Sequence, residues 1–193
     1  MAFKEGYNMH DHNSLSASLL RSTGVQVSKC YQCGKCSAGC PLSVEMDLPP
    51  SQVMRYLQTG LVEDEEKVLR SHSIWLCLSC EMCLSRCPME IDIPKMMDFL
   101  RQESVREKKN HPKSKKIIAF HRSFLDSIRT TGRLYEVGLV ADYKMRTGTL
   151  MQDVLTAPGM VTRGKLGFFP EMIRGRKQMK SIFKKSLKKE GKK

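Results

Sequence analysis

All eight cysteines of this chain fall into two copies of one pattern. Cys30, Cys33, Cys36 and Cys40 are followed by Pro41, and Cys77, Cys80, Cys83 and Cys87 by Pro88. Each copy reads C-x2-C-x2-C-x3-C-P. Three thiolates at this spacing can wrap one iron–sulfur cubane from a single loop and bind three of its irons. The fourth iron needs a thiolate from elsewhere. Where two such runs share a chain, the fourth cysteine of each serves the other cluster. The spacing therefore predicts two [4Fe–4S] clusters. One would use Cys30, Cys33, Cys36 and Cys87, and the other Cys77, Cys80, Cys83 and Cys40. Pro41 and Pro88 fix the backbone just past each fourth ligand and turn the chain away. On this scheme neither run folds without the other, and the chemistry is electron carriage.

Two other uses of eight cysteines fit less well. Structural zinc takes paired C-x2-C knuckles, two ligands from each of two places. Disulfide scaffolds belong to short secreted chains. Here Met1 to Asn8 is polar and lacks the apolar core of a secretory leader. No stretch is long and apolar enough to span a bilayer. A reducing, cytoplasmic and anaerobic setting suits eight metal-bound thiolates.

The elements that must position these cysteines read as helices. Asn13 or Ser14 can cap a short helix through Leu19 to Arg21, stopped at Gly24. Pro49 and Pro50 open a helix with Val53, Met54 and Leu57 on one face, ended by Gly60. Glu63 to Glu66 place acids at the start of another, expected to run through Val68 and Leu69 towards Trp75. Trp75 is expected to shield a cluster. Pro94 starts a longer helix carrying Met96, Met97, Phe99 and Leu100, expected to fade into a polar stretch from Glu103 to Asn110. The result is an imperfect internal repeat of cysteine run, proline and amphipathic helix. The 13 methionines suit irregular packing around bulky clusters.

Beyond Pro112 the character changes. Ile117, Phe120, Phe124 and Ile128 recur at helical spacing between lysines and arginines, up to Gly132. Leu134 to Met145 predict a further helix, broken near Gly148. Glycines and prolines over 156–170 predict a loop. A last amphipathic helix holds Met172, Ile173, Met179, Ile182, Phe183 and Leu187 before a lysine tail. The fold class is thus all-α: a flexible N-terminus over 1–13, a helical two-cluster domain over 14–110 and a basic helical extension over 111–193.

Charge is divided the same way. The net charge of +13 arises from −3 in residues 1–100 and +16 in residues 101–193. Such an excess can face nucleic acid, anionic lipid or an acidic protein. The basic half lacks the aromatic platforms and recognition motifs of nucleic-acid binders. It also lacks a Ser-His-Asp pattern and phosphate-binding glycine motifs. His111 and His121 read as structural. No catalytic residue is predicted, and a docking role for the extension is expected.

CYQCGKCSAGCP, WLCLSCEMCLSRCP and the SQVMRYLQTG helix between them resemble the C-type iron–sulfur subunit of heterodisulfide reductase, a helical ferredoxin family. The resemblance covers residues 14–110 well and the rest loosely. It implies an iron–sulfur component of an oxidoreductase complex, with no substrate site of its own. Electrons would pass from a flavin-containing A-type partner to a disulfide-reducing B-type partner. This chain lacks the CCG motifs of the B-type protein. Related helical modules also serve dehydrogenases. That leaves an alternative in which the chain feeds or drains a membrane quinone pool through a partner, with its basic tail on lipid.

Overall fold

A computed structural model describes residues 14–149, 159, 170 and 172–190, and among them no strand occurs. The chain divides into two compact units, Met1–Ser114 and Lys115–Lys193.

The first unit is built on helices that begin and end where local chemistry says they should. Helix α1, Leu15–Thr23, is capped by the Ser14 hydroxyl, which accepts from the Ala17 N–H, and closes at Gly24. Its Leu15 N–H is held by the Glu65 carboxylate at 2.8 Å. Helix α2, Lys35–Ala38, is the short turn inside the first cysteine run. Helix α3, Pro50–Thr59, starts on proline and stops at Gly60, whose φ of 63° suits a residue without Cβ. Helix α4 spans Val62–Arg70 with Glu63, Asp64 and Glu65 in its first turn. Helices α5, Ser73–Leu76, and α6, Met82–Ser85, flank and enter the second run. Helix α7, Ile93–Arg106, is capped by Asp92.

Helix α7 is the spine of this unit. Met96, Met97 and Leu100 are fully buried, and α1, α4, α5 and α6 all pack against it. Leu19 of α1, Val53, Met54 and Leu57 of α3, Val68 of α4 and Ile74 of α5 join them in the core. Burying side chains of this size contributes about 1.5–3 kcal/mol each.

Two expectations change. The helix expected to run from Glu63 to Trp75 ends at Arg70, and α5 begins separately at Ser73. Ser71 is extended, and Asp47 supplies the new start. Its carboxylate accepts from the N–H groups of His72 and Ser73, both at 2.9 Å, and from the Ser73 hydroxyl. The Leu48 N–H in turn donates to the Ser73 hydroxyl. Partial burial would raise the Asp47 pKa, but these hydrogen bonds outweigh it and hold the carboxyl below its usual range. The polar stretch expected from Glu103 also fails in part. Glu103 and Ser104 are buried, Ser104 donates to the Leu69 carbonyl, and Glu103 pairs with Arg106.

The second unit holds α8, Lys115–Thr131, α9, Glu136–Thr147, and α10, Arg176–Glu190. Helix α8 packs on α9 and α10. Phe120 meets Phe124 at 6.3 Å and Tyr143 edge-on at 6.0 Å between ring centroids, yet it stays exposed. Arg146 bridges Asp142 and Asp126. Met172 and Ile173 precede α10 instead of lying on it, and the Leu187 side chain and all of 156–170 but Gly159 and Pro170 lie outside the described residues.

Asp47 joins the loop after the first cysteine run to the helix before the second. Asp47→Ala should therefore lower the stability of the cluster-loaded protein by about 1–2 kcal/mol, the upper range for a lost helix cap. Thermal denaturation under anaerobic conditions would check this. An unchanged midpoint would refute the capping role.

Candidate metal centre

The two cysteine runs adopt one backbone twice. Gln32 and Ser79 take positive φ, 62° and 51°. Gly34 and Glu81, each just before a short helix, do so again at 76° and 61°. The Ala38 N–H bonds the Gly34 carbonyl as the Ser85 N–H bonds that of Glu81. Cys40 N–H reaches Ser37 as Cys87 N–H reaches Leu84. Glu81 accepts a conformation that costs an L-residue about 1–2 kcal/mol. Gly34 meets the same demand without a Cβ.

Burial repeats position by position. Cys36 and Cys83 are buried, Cys33 and Cys80 exposed, and the other four half-buried. Each run thus has one thiol in the core and one at the surface. The two short helices pack together, α2 against α6. Gly39 makes room at this junction, since a Cβ there would lie 2.5 Å from Cδ of Arg86. Arg86 comes from the second run and precedes Cys87, and Gly39 precedes Cys40. The junction therefore brings the fourth cysteine of each run to the neighbourhood of the other run.

Two hollows result. One, of about 320 Å³ counted out to its mouth, is lined by Cys30, Cys33, Cys36 and Cys87, with Met54, Ile91 and Ile93 in its wall. The other, of about 400 Å³, is lined by Cys40, Cys77, Cys80 and Cys83, with Met46, Ile93 and Met97 in its wall. Ile93 is common to both linings. Each hollow gathers three thiols of one run and the fourth of the other. Trp75, expected to shield a cluster, is buried but lines neither hollow.

The donor set fits iron–sulfur clusters. Four thiols face an apolar hollow, as a cluster with four ligand-bearing corners requires. Among the described residues no three His, Cys, Asp or Glu side chains gather to hold a single ion. Tetrahedral zinc would need four sulfurs at about 2.3 Å from one point. Burial pushes the Cys83 thiol up to about 11, with the nearby Cys77 adding to it, and burial raises Cys36 likewise. Burial thus disfavours both thiolates, and binding a metal there would have to displace their protons.

Polar groups that the cysteine pattern does not announce hold these loops. Gln32 donates its backbone N–H and its Nε2 to Cys30 Sγ at 3.4 and 3.5 Å. The Ile91 N–H donates to Cys87 Sγ at 3.4 Å. Gln58 accepts from Gln32 and donates to the Val27 and Cys30 carbonyls. On the second run Arg101 donates to the Ile74 and Cys77 carbonyls. Donors to cluster sulfurs and backbone restraint on the ligands both act on reduction potential.

Comparison with known proteins agrees with this geometry. The family model for 4Fe-4S dicluster domains matches residues 26–91. This segment is a helical dicluster iron–sulfur domain, and its cofactors are two [4Fe–4S] clusters. It is similar to part of the C-type iron–sulfur subunits of heterodisulfide reductases. The C-type iron–sulfur subunit of CoB–CoM heterodisulfide reductase from Methanopyrus kandleri is 38% identical over 69 residues, 36% of this chain and 34% of the relative. Its counterpart in the ferredoxin:CoB-CoM heterodisulfide reductase of Methanosarcina acetivorans is 33% identical over 90 residues, 47% and 35% of the two chains. The C2-type subunit of H(2)/formate:CoB-CoM heterodisulfide,ferredoxin reductase from Methanococcus maripaludis is 30% identical over 97 residues, half of each. The matched part of the chain spans about a third to a half of the length of these relatives. The chain thus carries a 4Fe-4S dicluster domain similar to part of these subunits, and no helix among its described residues is long and apolar enough to cross a membrane.

Protein purified without oxygen should carry about eight irons and eight sulfides, the content of two four-iron clusters. Metal and sulfide analysis would check this. Zinc in place of iron, or about four irons per chain, would contradict it.

Proposed function

We propose that this chain is the electron-relay component of a heterodisulfide-reductase-like complex. It takes electrons from a flavin-containing A-type partner and passes them to a B-type partner, whose CCG-motif centre reduces a disulfide. The observation that carries the reading is the pair of hollows, each lined by three thiols of one run and the fourth of the other. When bound, each cluster accepts and returns an electron. The chain's own residues hold the two clusters close and leave one ligand of each, Cys33 and Cys80, at the surface. A relay needs such an entry and such an exit. A cytoplasmic setting follows from the need to keep eight thiols reduced before clusters load.

The ligand sets we assign are crossed. Cys30, Cys33, Cys36 and Cys87 hold one cluster, and Cys77, Cys80, Cys83 and Cys40 the other. The hollow linings support this assignment. Cys40→Ser should then perturb the cluster held mainly by the second run, and Cys87→Ser that held by the first. EPR spectra of the two variants distinguish the outcomes. Each substitution disturbing only its own run's cluster would overturn the crossed scheme.

The names of the relatives variously include ferredoxin, H2 and formate. Kinship therefore leaves the donor open. Co-purification with a flavoprotein and a CCG-motif protein is the direct test of the complex.

We assign the basic extension from residue 111 onward to docking these partners. Phe120 and Ile182 stay exposed on basic helices. Apolar anchors beside lysine and arginine suit a groove with an acidic rim. Deleting residues 171–193 should leave both clusters intact and weaken assembly about tenfold or more, about 1.4 kcal/mol. Undiminished assembly would sink this assignment. Loss of salt-dependent liposome binding with assembly unchanged would favour a membrane role instead.

A further inference from the structure

The two runs carry corresponding clamps of unlike charge. Gln58, on the helix after the first run, donates to the carbonyls of Val27 and Cys30 at 3.0 and 2.6 Å. Arg101, on the helix after the second, donates to the carbonyls of Ile74 and Cys77. Val27 and Ile74 each stand three residues before the first cysteine of their run. Each clamp therefore holds the backbone that delivers the first thiol. Gln58 is neutral. Arg101 brings a full positive charge to the carbonyl of a cluster ligand.

Arg101 has a carboxylate partner, Asp98 at 3.0 Å, but water treats the two ends differently. The Arg101 side chain is 17% exposed and that of Asp98 54%. Solvent screens an exposed charge far more than one withdrawn from it. Asp98 thus offsets only part of the Arg101 field at the second run. A cluster becomes more negative on reduction, so an incompletely offset cation beside its ligand favours the reduced form. At the first run the Gln32 N–H groups on Cys30 Sγ act in the same sense, but as dipoles. A plain structural role would be to tie off the last carbonyls of α5, which favour any cation. That role alone predicts no effect on a retained cluster's potential.

We propose that Arg101 is a tuning residue that raises the reduction potential of the cluster held by Cys77, Cys80 and Cys83 above the value a neutral clamp would give. The inference rests on the two-cluster relay reading. The test is an EPR-monitored redox titration of the cluster-loaded protein, with Arg101→Gln copying the neutral clamp of the first run. Both clusters should remain and one midpoint should fall. The ratio of reduced to oxidised cluster at the wild-type midpoint should drop about tenfold, about 59 mV for a one-electron couple. The other midpoint should stay. Asp98→Asn removes the offsetting carboxylate without touching the clamp, and should raise the same midpoint by about a threefold change in that ratio. If Arg101→Gln loses a cluster, Asp98→Asn decides: an upward shift supports tuning and no shift overturns it. Two retained clusters with unmoved midpoints in Arg101→Gln would also overturn it. Wild-type protein without two distinct clusters would instead overturn the relay reading beneath it.

Discussion

The first unit depends on holding two cysteine runs against each other across 47 positions of chain. Neither run has a core of its own, since each is a loop and one short helical turn. Their contact rests on α2 packing against α6, with Arg86 laid over Gly39. The helices between and after the runs serve that contact. Ser37, on α2, accepts the Ser51 N–H and so ties the first run to the start of α3. Asp47 ties the loop after the first run to the start of α5. Helix α7 gathers α1, α4, α5 and α6 and contributes Ile93 and Met97 to the hollows. Metal ligation adds to this scaffold, because a site built from separated segments couples binding to folding.

Much of this was legible in the chain. The cysteine spacing pointed to the chemistry because cubane ligation permits few spacings. The helix ends at Ser14, Gly24, Gly60 and Gly148 were legible because capping is local chemistry. What depended on tertiary partners was not. The break at Ser71 and His72 needs Asp47, which lies 25 residues upstream of His72. Glu103 reads as the start of a polar tail, yet it sits on the buried side of α7 against Arg106. Gln58 and Arg101 are ordinary helix residues in sequence. Their equivalence emerges only when both are seen on carbonyls of matching positions. One signal was available earlier: the internal repeat implied that whatever fixes the first run should have a counterpart at the second.

The second unit answers to a different constraint. Among its described residues Ser123, Thr131 and Leu139 are the buried ones. Its aromatic residues meet each other but leave Phe120 exposed, and Leu125, Val140 and Met145 are exposed as well. A helical unit that leaves these apolar side chains in water draws less of its stability from burial. The first unit buries apolar residues on α1, α3, α4, α5 and α7, and it too leaves apolar side chains such as Val44, Val62 and Leu78 exposed.

Charge follows the same division for a physical reason. Clusters with four thiolates add negative charge to a half that is already slightly acidic. A strongly basic cluster domain would shift both potentials together and make each depend on every partner charge nearby. Most of the cations lie beyond residue 100 in the sequence. Arg101 is the first residue of the basic half, and it turns back to the Cys77 carbonyl while the rest of the excess lies further along the chain. On the docking and tuning roles proposed above, attraction of a partner and bias on one cluster fall to different residues. The first is screened over about 8–10 Å in physiological salt, and the second, acting from a side chain largely withdrawn from water, is screened much less.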